Sequence, residues 1–246
     1  MRDCRTVLGS LFGATVVLQI WFSVPLVTQN LFQGQDPYEP ARRQMVQYLA
    51  QQWKIKNSRV LKALSQVPRH LFIPEDQRER AYEDTPLPIG LGQTISAPSV
   101  VAYMTEQIRP RPTDRVLEVG TGSGYQAAVL SLLVKEVYTI EILPALAEKA
   151  KETLKQLGYT NVMVKVGDGF EGWKEMAPFD AIIVTCAAPK VPEPLFEQLK
   201  EGGRMILPIG GTLFQRLYLI EKRNGKLIKK PLLPAHFVPM VGKIRK

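Results

Sequence analysis

Val116-Leu-Glu-Val-Gly-Thr-Gly-Ser-Gly-Tyr125 decides the fold. An apolar run carries one acid and then glycine at every second position. Arg115 to Val119 reads as a buried strand of a parallel sheet, where continuous apolar residues replace alternation. Gly120, Gly122 and Gly124 then turn the chain sharply into a helix that begins near Tyr125. Glycine suits such a turn because it takes positive φ and leaves no Cβ between backbone and ligand. A strand, a glycine turn and a helix in this order form the first βα turn of a nucleotide-binding α/β fold.

The spacing points to a class of ligand. A dinucleotide fingerprint has the form G-x-G-x-x-G. This chain has G-x-G-x-G, with Glu118 one residue ahead of the first glycine pair. A carboxylate there repels a pyrophosphate and attracts a cation. S-adenosylmethionine fits, because it carries a sulfonium and an ammonium and no phosphate.

Further strands follow at βα spacing. Glu136 to Glu141 is a second strand ending in an acid, roughly 20 residues past the glycines, where an acid binds ribose hydroxyls. Pro144 to Leu157 has helical apolar spacing and stops at Gly158. Asn161 to Val166 is a third strand, running into Gly167-Asp-Gly169. Phe179 to Thr185 is a fourth. A helix from Pro194 to Leu199, a turn at Glu201-Gly-Gly-Arg204 and a strand from Met205 to Leu207 complete the pattern. Strands alternating with helices predict a doubly wound, mostly parallel, Rossmann-like sheet with ligand at its carboxyl edge. Gly120, Glu141 and Asp168 all fall on that edge.

These segments resemble the protein-L-isoaspartate O-methyltransferase family of class I S-adenosylmethionine-dependent methyltransferases. The resemblance covers about residues 42 to 242. It is carried by Leu87-Pro-Ile-Gly-Leu-Gly-Gln-Thr-Ile-Ser-Ala-Pro98, by Val116 to Tyr125, by Val166-Gly-Asp-Gly169, and by Pro178 to Val184. Leu199 to Gly210 and His236-Phe-Val-Pro239 add to it. The Gly-Gln-Thr-Ile-Ser-x-Pro segment is the specific one, whereas the glycine turn is common to most such methyltransferases.

The resemblance implies methyl transfer from S-adenosylmethionine to the free carboxylate of L-isoaspartyl residues in damaged proteins and peptides. It makes Ser96 the active-site serine, orienting the acceptor. Thr94 and Ile95 are expected to line the same crevice through backbone groups. Glu118 is expected to receive the cofactor ammonium or brace the glycine loop formed by Gly120, Gly122 and Gly124. Glu141 would take the ribose, and Asp168 with Gly169 the adenine. Gln215 sits where the family often has a cofactor-contacting glutamine. From local sequence alone, Ser96 also reads as the N-cap of an apolar helix containing Val100, Val101, Met104 and Ile108.

Composition agrees with a soluble globule, at 45% hydrophobic and 22% charged residues in 246. The two cysteines, Cys4 and Cys186, lie far apart and suggest neither a disulfide framework nor a metal site. The net charge of +9 is concentrated near the carboxyl end, in Lys222, Arg223, Lys226, Lys229, Lys230, Lys243, Arg245 and Lys246. Aromatic interleaving for base stacking is missing there, so a solvated surface rather than nucleic-acid binding is expected. A monomer is expected.

The amino terminus is different. Arg2 and Arg5 precede an uncharged stretch from Thr6 to Gln35, of which Val7 to Val27 is mostly apolar. That approaches the ~20 residues of a membrane-spanning helix. Residues 1–41 therefore read as a hydrophobic N-terminal helix plus a linker containing Gly34, Pro37 and Pro40, ahead of a methyltransferase domain over 42–246. A cytosolic catalytic domain is expected, because the cofactor is made and held in the cytosol. Three readings stay open: an inserted segment with the domain on the cytosolic side, an exported domain, and a start nearer Met45.

Two other functions compete. One is a class I methyltransferase acting on nucleic acid or a small molecule. Amino-group DNA methyltransferases carry an Asn/Asp-Pro-Pro-aromatic motif after the fourth strand, and Thr185-Cys-Ala-Ala-Pro189 lacks it. The other is a binding module of the same fold, which predicts damage to the glycine turn or to the Ser96 segment. Neither is damaged.

Overall fold

A computed structural model describes residues 36–242. The apolar stretch 7–27, expected as a hydrophobic N-terminal helix, lies outside the described residues. Among the described residues no helix is long and apolar enough to cross a membrane.

Two helices, α1 (Glu39–Gln51) and α2 (Ser58–Gln66), precede a short antiparallel hairpin of β1 (Leu87–Gly90) and β2 (Gln93–Ile95). Helix α3 (Pro98–Gln107) leads into the main sheet. Its elements are β3 (Arg115–Val119), α4 (Tyr125–Ser131), β4 (Glu136–Glu141), α5 (Pro144–Gln156), β5 (Val162–Val166), β6 (Phe179–Val184), α6 (Glu193–Gln198), β7 (Leu199–Gly210), β8 (Gln215–Arg223) and β9 (Lys226–Ala235). The seven strands run in the order β5-β4-β3-β6-β7-β8-β9. The first five are parallel, and β8 and β9 are antiparallel additions. The chain moves outward from β3 through β4 to β5, then returns to the other side of β3 with β6. A crevice for ligand opens where the order reverses, beyond the carboxyl ends of β3 and β6.

Alternation across the sheet builds two apolar layers. Val116, Val137 and Ile183 point toward a layer formed with α1 to α5. Leu117, Tyr138 and Ile182 point to the opposite face, covered by α6 and the 170–177 segment. Strands buried on both faces read as continuous apolar runs, so β3, β4 and β6 were visible in sequence.

Strand β7 departs from expectation. It spans 12 residues and includes the Glu201-Gly-Gly-Arg204 segment expected as a turn. The pairing with β6 is irregular there, passing from Phe179–Leu199 to Ala181–Arg204. Gly202 takes a φ of +74°, and a Cβ on Gly203 would press on the carbonyls of Lys200 and Asp180. The two glycines absorb a bulge inside one strand rather than ending it.

The segment expected as a linker also departs. Helix α1 starts at Glu39, with proline in its first turn, where the missing N–H costs nothing. The Asp36 carboxylate accepts from Tyr38 N and pairs with Arg42 at 2.7 Å. The Tyr38 ring stacks on His70 at 4.3 Å between centroids. Residues 36–41 thus belong to the folded unit.

A chain beginning at Arg42 should therefore be less stable than one beginning at Asp36. Losing a half-buried charged hydrogen bond costs about 2 kcal/mol, which lowers Tm by about 4–8 °C for a domain of this size. Equal melting temperatures in calorimetry would show that 36–41 contribute nothing.

Candidate active site

The end of β3 is polar at its centre. Glu118 is fully buried, with one carboxylate oxygen accepting from Thr139 Oγ1 at 2.6 Å and the other without a partner. Burial pushes its pKa up to about 8, against the hydrogen bond from Thr139; the neighbouring Glu141 charge adds to the rise. A buried acid with an open oxygen suits a cationic ligand group, which would favour the ionised form.

The glycine loop follows. Gly120 takes a φ of +96°, and its N–H and that of Thr121 both donate to the Ile140 carbonyl. Gly122 N donates to Glu141 Oε2 at 2.8 Å, while Glu141 Oε1 accepts from Leu143 N at 3.1 Å. Glu141 thereby ties the loop to the end of β4. Gly120 is the most constrained of the three loop glycines: a Cβ there would collide with Thr185 Oγ1. That hydroxyl donates to the Gly120 and Val119 carbonyls, at 2.7 and 3.0 Å.

These groups border a cleft lined by Gly120, Gly122, Glu141, Gly169, Thr185 and Cys186, among others. Among the described residues its lining contains one carboxylate and no lysine or arginine. Burial pushes the Cys186 thiol up to about 12, so it stays protonated at neutral pH. Gly169 must be small because a Cβ would strike Val119. Asp168 stands beside it, accepts from Phe170 N at 3.0 Å and is in contact with Gly242.

A second, larger cavity of about 550 Å³ lies across a thin partition. Ser96, Val100, Tyr103, Trp53 and Phe237 line it. Ser96 is not the cap of α3. Ala97 holds that position without a side-chain bond, and Asp84 Oδ1 accepts from Ser99 N at 2.9 Å instead. Asp84 Oδ2 also accepts from Trp53 Nε1, fixing that ring in the cavity wall. The Ser96 hydroxyl makes no hydrogen bond with the described residues and is free for a ligand. Thr94, Thr185, Val238 and Pro239 line both cavities.

The last two come from a strap over the sheet edge. Ala187 N donates to the Val238 carbonyl and Met240 N to the Ala187 carbonyl, each at 2.8 Å. Gln215 clamps the strap at Phe237, accepting from its N–H at 2.7 Å and donating to its carbonyl at 3.1 Å.

Thr94, Gly120, Gly122, Glu141 and Gly169 thus line the cleft, Asp168 directly precedes Gly169, and Glu118 lines a small pocket that it shares with Thr94, Ser96, Gly120 and Gly122. Two expectations change. Gly124 turns its Cβ position away from the cleft, toward Leu154 and Ala150 of α5. The Ile95 side chain turns into the core, while the residue also lines the small pocket with Glu118, Gly120 and Gly122. Gln215 holds the strap rather than the cleft. Thr185 was missed, although its place just past β6, level with Gly120, marks it as an edge residue. The strap was missed because nothing local signals it.

Gly120→Ala should abolish S-adenosylmethionine binding measured by calorimetry, while Gly124→Ala should lower stability and leave affinity. The reverse pattern would exchange their roles. Glu118 binds its proton more tightly folded, at about 8, than at the ordinary 4.5. Its contribution to stability is full below 4.5 and is lost as pH rises toward 8. Thermal unfolding of Glu118→Gln should be flatter over that window than the wild type; parallel curves would exclude a raised pKa.

Comparison with known proteins agrees with this geometry. The model of the protein-L-isoaspartate(D-aspartate) O-methyltransferase family matches residues 40–245. Protein-L-isoaspartate O-methyltransferase 2 of Syntrophobacter fumaroxidans is 51% identical, over 84% of this chain and 88% of its own. The Opitutus terrae protein-L-isoaspartate O-methyltransferase is 53% identical, over 82% and 89%. A solved protein-L-isoaspartate O-methyltransferase superposes with a TM-score of 0.76 at 34% identity, covering 82% of this chain and 67% of that one. A Plasmodium falciparum structure of the same description, in complex with S-adenosyl-L-homocysteine, gives 0.72 at 30%, covering 81% and 98%. The chain belongs to the protein-L-isoaspartate(D-aspartate) O-methyltransferase family.

Proposed function

We infer that the two cavities are the donor and acceptor sites of the family's reaction. This chain is a repair methyltransferase that passes a methyl group from S-adenosylmethionine to the free carboxylate of L-isoaspartyl residues in damaged proteins. The observation that carries the assignment of sites is the shared partition. Gly120, Gly122 and Glu141 line the cleft, the unengaged Ser96 hydroxyl lines the larger cavity, Thr94 and Thr185 line both, and Ser96, Glu118, Gly120 and Gly122 share a third, small pocket.

S-adenosylmethionine supplies an electrophilic methyl group on a sulfonium. Glu118 would hold its ammonium, Glu141 its ribose hydroxyls, and Asp168 with Gly169 its adenine. The cleft, with Glu141 in its lining and no lysine or arginine there among the described residues, supports a cation over a phosphate. Ser96 donates to the acceptor carboxylate and selects which lone pair faces the partition. Thr94 sits beside it on the partition.

A carboxylate with an ordinary pKa near ~4 is ionised at neutral pH, so the protein needs no strong base. Its task is alignment, which is worth roughly 7–11 kcal/mol when two reactants are held in line. The apolar strap residues Val238 and Pro239 keep water from the partition. Both cavities are lined by residues between Trp53 and Val241 of a single chain. A cytosolic location follows from where the cofactor is held, with tethering through 7–27 as an addition.

With methyl-labelled S-adenosylmethionine, an isoaspartyl peptide should be methylated and its aspartyl twin should not. Equal labelling would reject the assignment. At saturating cofactor the turnover should change little from pH 6 to 8, and a steep rise would indicate an amine or hydroxyl acceptor. Ser96→Ala should cut turnover about tenfold to a hundredfold, the worth of one hydrogen bond to a charged group, with cofactor affinity unchanged. A variant that only melts earlier would make Ser96 structural.

A further inference from the structure

Leu213 and Phe214 are 85% and 86% exposed, more than any other large apolar residue among those described. They stand side by side at the tip of the β7–β8 hairpin, which turns at the same carboxyl edge as the two cavities. The tip is closed tightly at its base. Gly210 pairs with Gln215, and a Cβ on Gly210 would collide with the Phe214 carbonyl. The core does not need them, since Leu217, Leu219 and Ile220 of β8 already fill it.

Their position relative to the acceptor cavity follows from the register. Gln215, the next residue, pairs with Ala235 and clamps Phe237, and Ala235 and Phe237 both line that cavity. Phe214 is therefore one residue and one strand spacing, about 4.8 Å, from the cavity wall. Leu233, which also lines the cavity and is 37% exposed, continues the apolar rim. An extended peptide rises about 3.3 Å per residue. A side chain two or three positions from an isoaspartyl residue in the cavity thus lies about 7–10 Å away, within reach of the tip.

We propose that Leu213 and Phe214 form a docking rim for apolar side chains two or three residues from the isoaspartyl site, and so set the peptide preference of this enzyme. The occupant is the substrate polypeptide itself. A chain must be locally unfolded for its damaged backbone to enter the cavity, and unfolding exposes the apolar residues the rim would cover. The proposal rests on the assignment of the larger cavity as the acceptor site.

The test uses two isoaspartyl peptides that differ only at the second and third positions on each side, Leu/Phe in one and Ser/Gly in the other. The wild type should show a KM about tenfold lower for the apolar peptide. The double variant Leu213→Ser/Phe214→Ser should lose that difference while keeping kcat, the KM for the polar peptide and the KM for S-adenosylmethionine. A wild type without preference, or a double variant that retains it, overturns the rim. So does a double variant with unchanged peptide kinetics that has lost binding to anionic phosphatidylserine vesicles, or has changed oligomeric state in sedimentation. Methylation of the polar peptide by the wild type tests the acceptor assignment separately.

Discussion

The approach of Gly120 to the Thr185 hydroxyl is the contact on which the site depends. It occurs where β3 and β6 diverge, so the first residue past each strand must share one small space. Only glycine fits on the β3 side, and only a side chain that can donate satisfies the two carbonyls it faces. Thr185 and Thr94 thereby stand at the border of both cavities. Methyl transfer needs acceptor oxygen and methyl carbon in direct contact, so on the proposed assignment that border must be open where they meet and its frame must be rigid. The hydroxyl provides that rigidity at the cost of a positive φ at Gly120.

Glu118 represents the opposite compromise. An apolar environment pushes its carboxyl toward the neutral form, and one oxygen has no partner at the small pocket it shares with Ser96 and Gly120. A binding group kept short of its partner is a poor contributor to stability and a good one to discrimination, because a cation gains where an anion would lose. The lack of basic residues in the adjoining cleft, among those described, reinforces the choice.

Much of this was legible in sequence because it is local. Strands β3, β4 and β6 are continuous apolar runs, and the glycine turn, Glu141 and Asp168 follow them at fixed distances. What was hidden depends on distant pairing. Strand β9 is exposed along most of its length and carries Pro231 and Pro234, which an edge strand tolerates and an isolated reading takes for a loop. Gln215 meets Phe237 only after two hairpin strands have formed. Gly124 looked like its neighbours, yet its smallness serves the packing of α5. Pro37 and Pro40 suggested a linker although proline is at home in the first turn of a helix. The Ser96 segment drew notice only through family likeness, since a serine ahead of a helix suggests a cap until Asp84 is seen accepting from Ser99 N.

The strap held by Gln215 has one more consequence. Val238 and Pro239 face both cavities, so the position of the strap enters the binding free energy of two different ligands. Whatever one occupant does to the strap, the other must feel, and thermodynamic linkage makes the effect mutual and equal in size. On the proposed assignment donor and acceptor are not independent guests; occupancy of either cavity is an allosteric variable for the other, transmitted through the strap residues that line both.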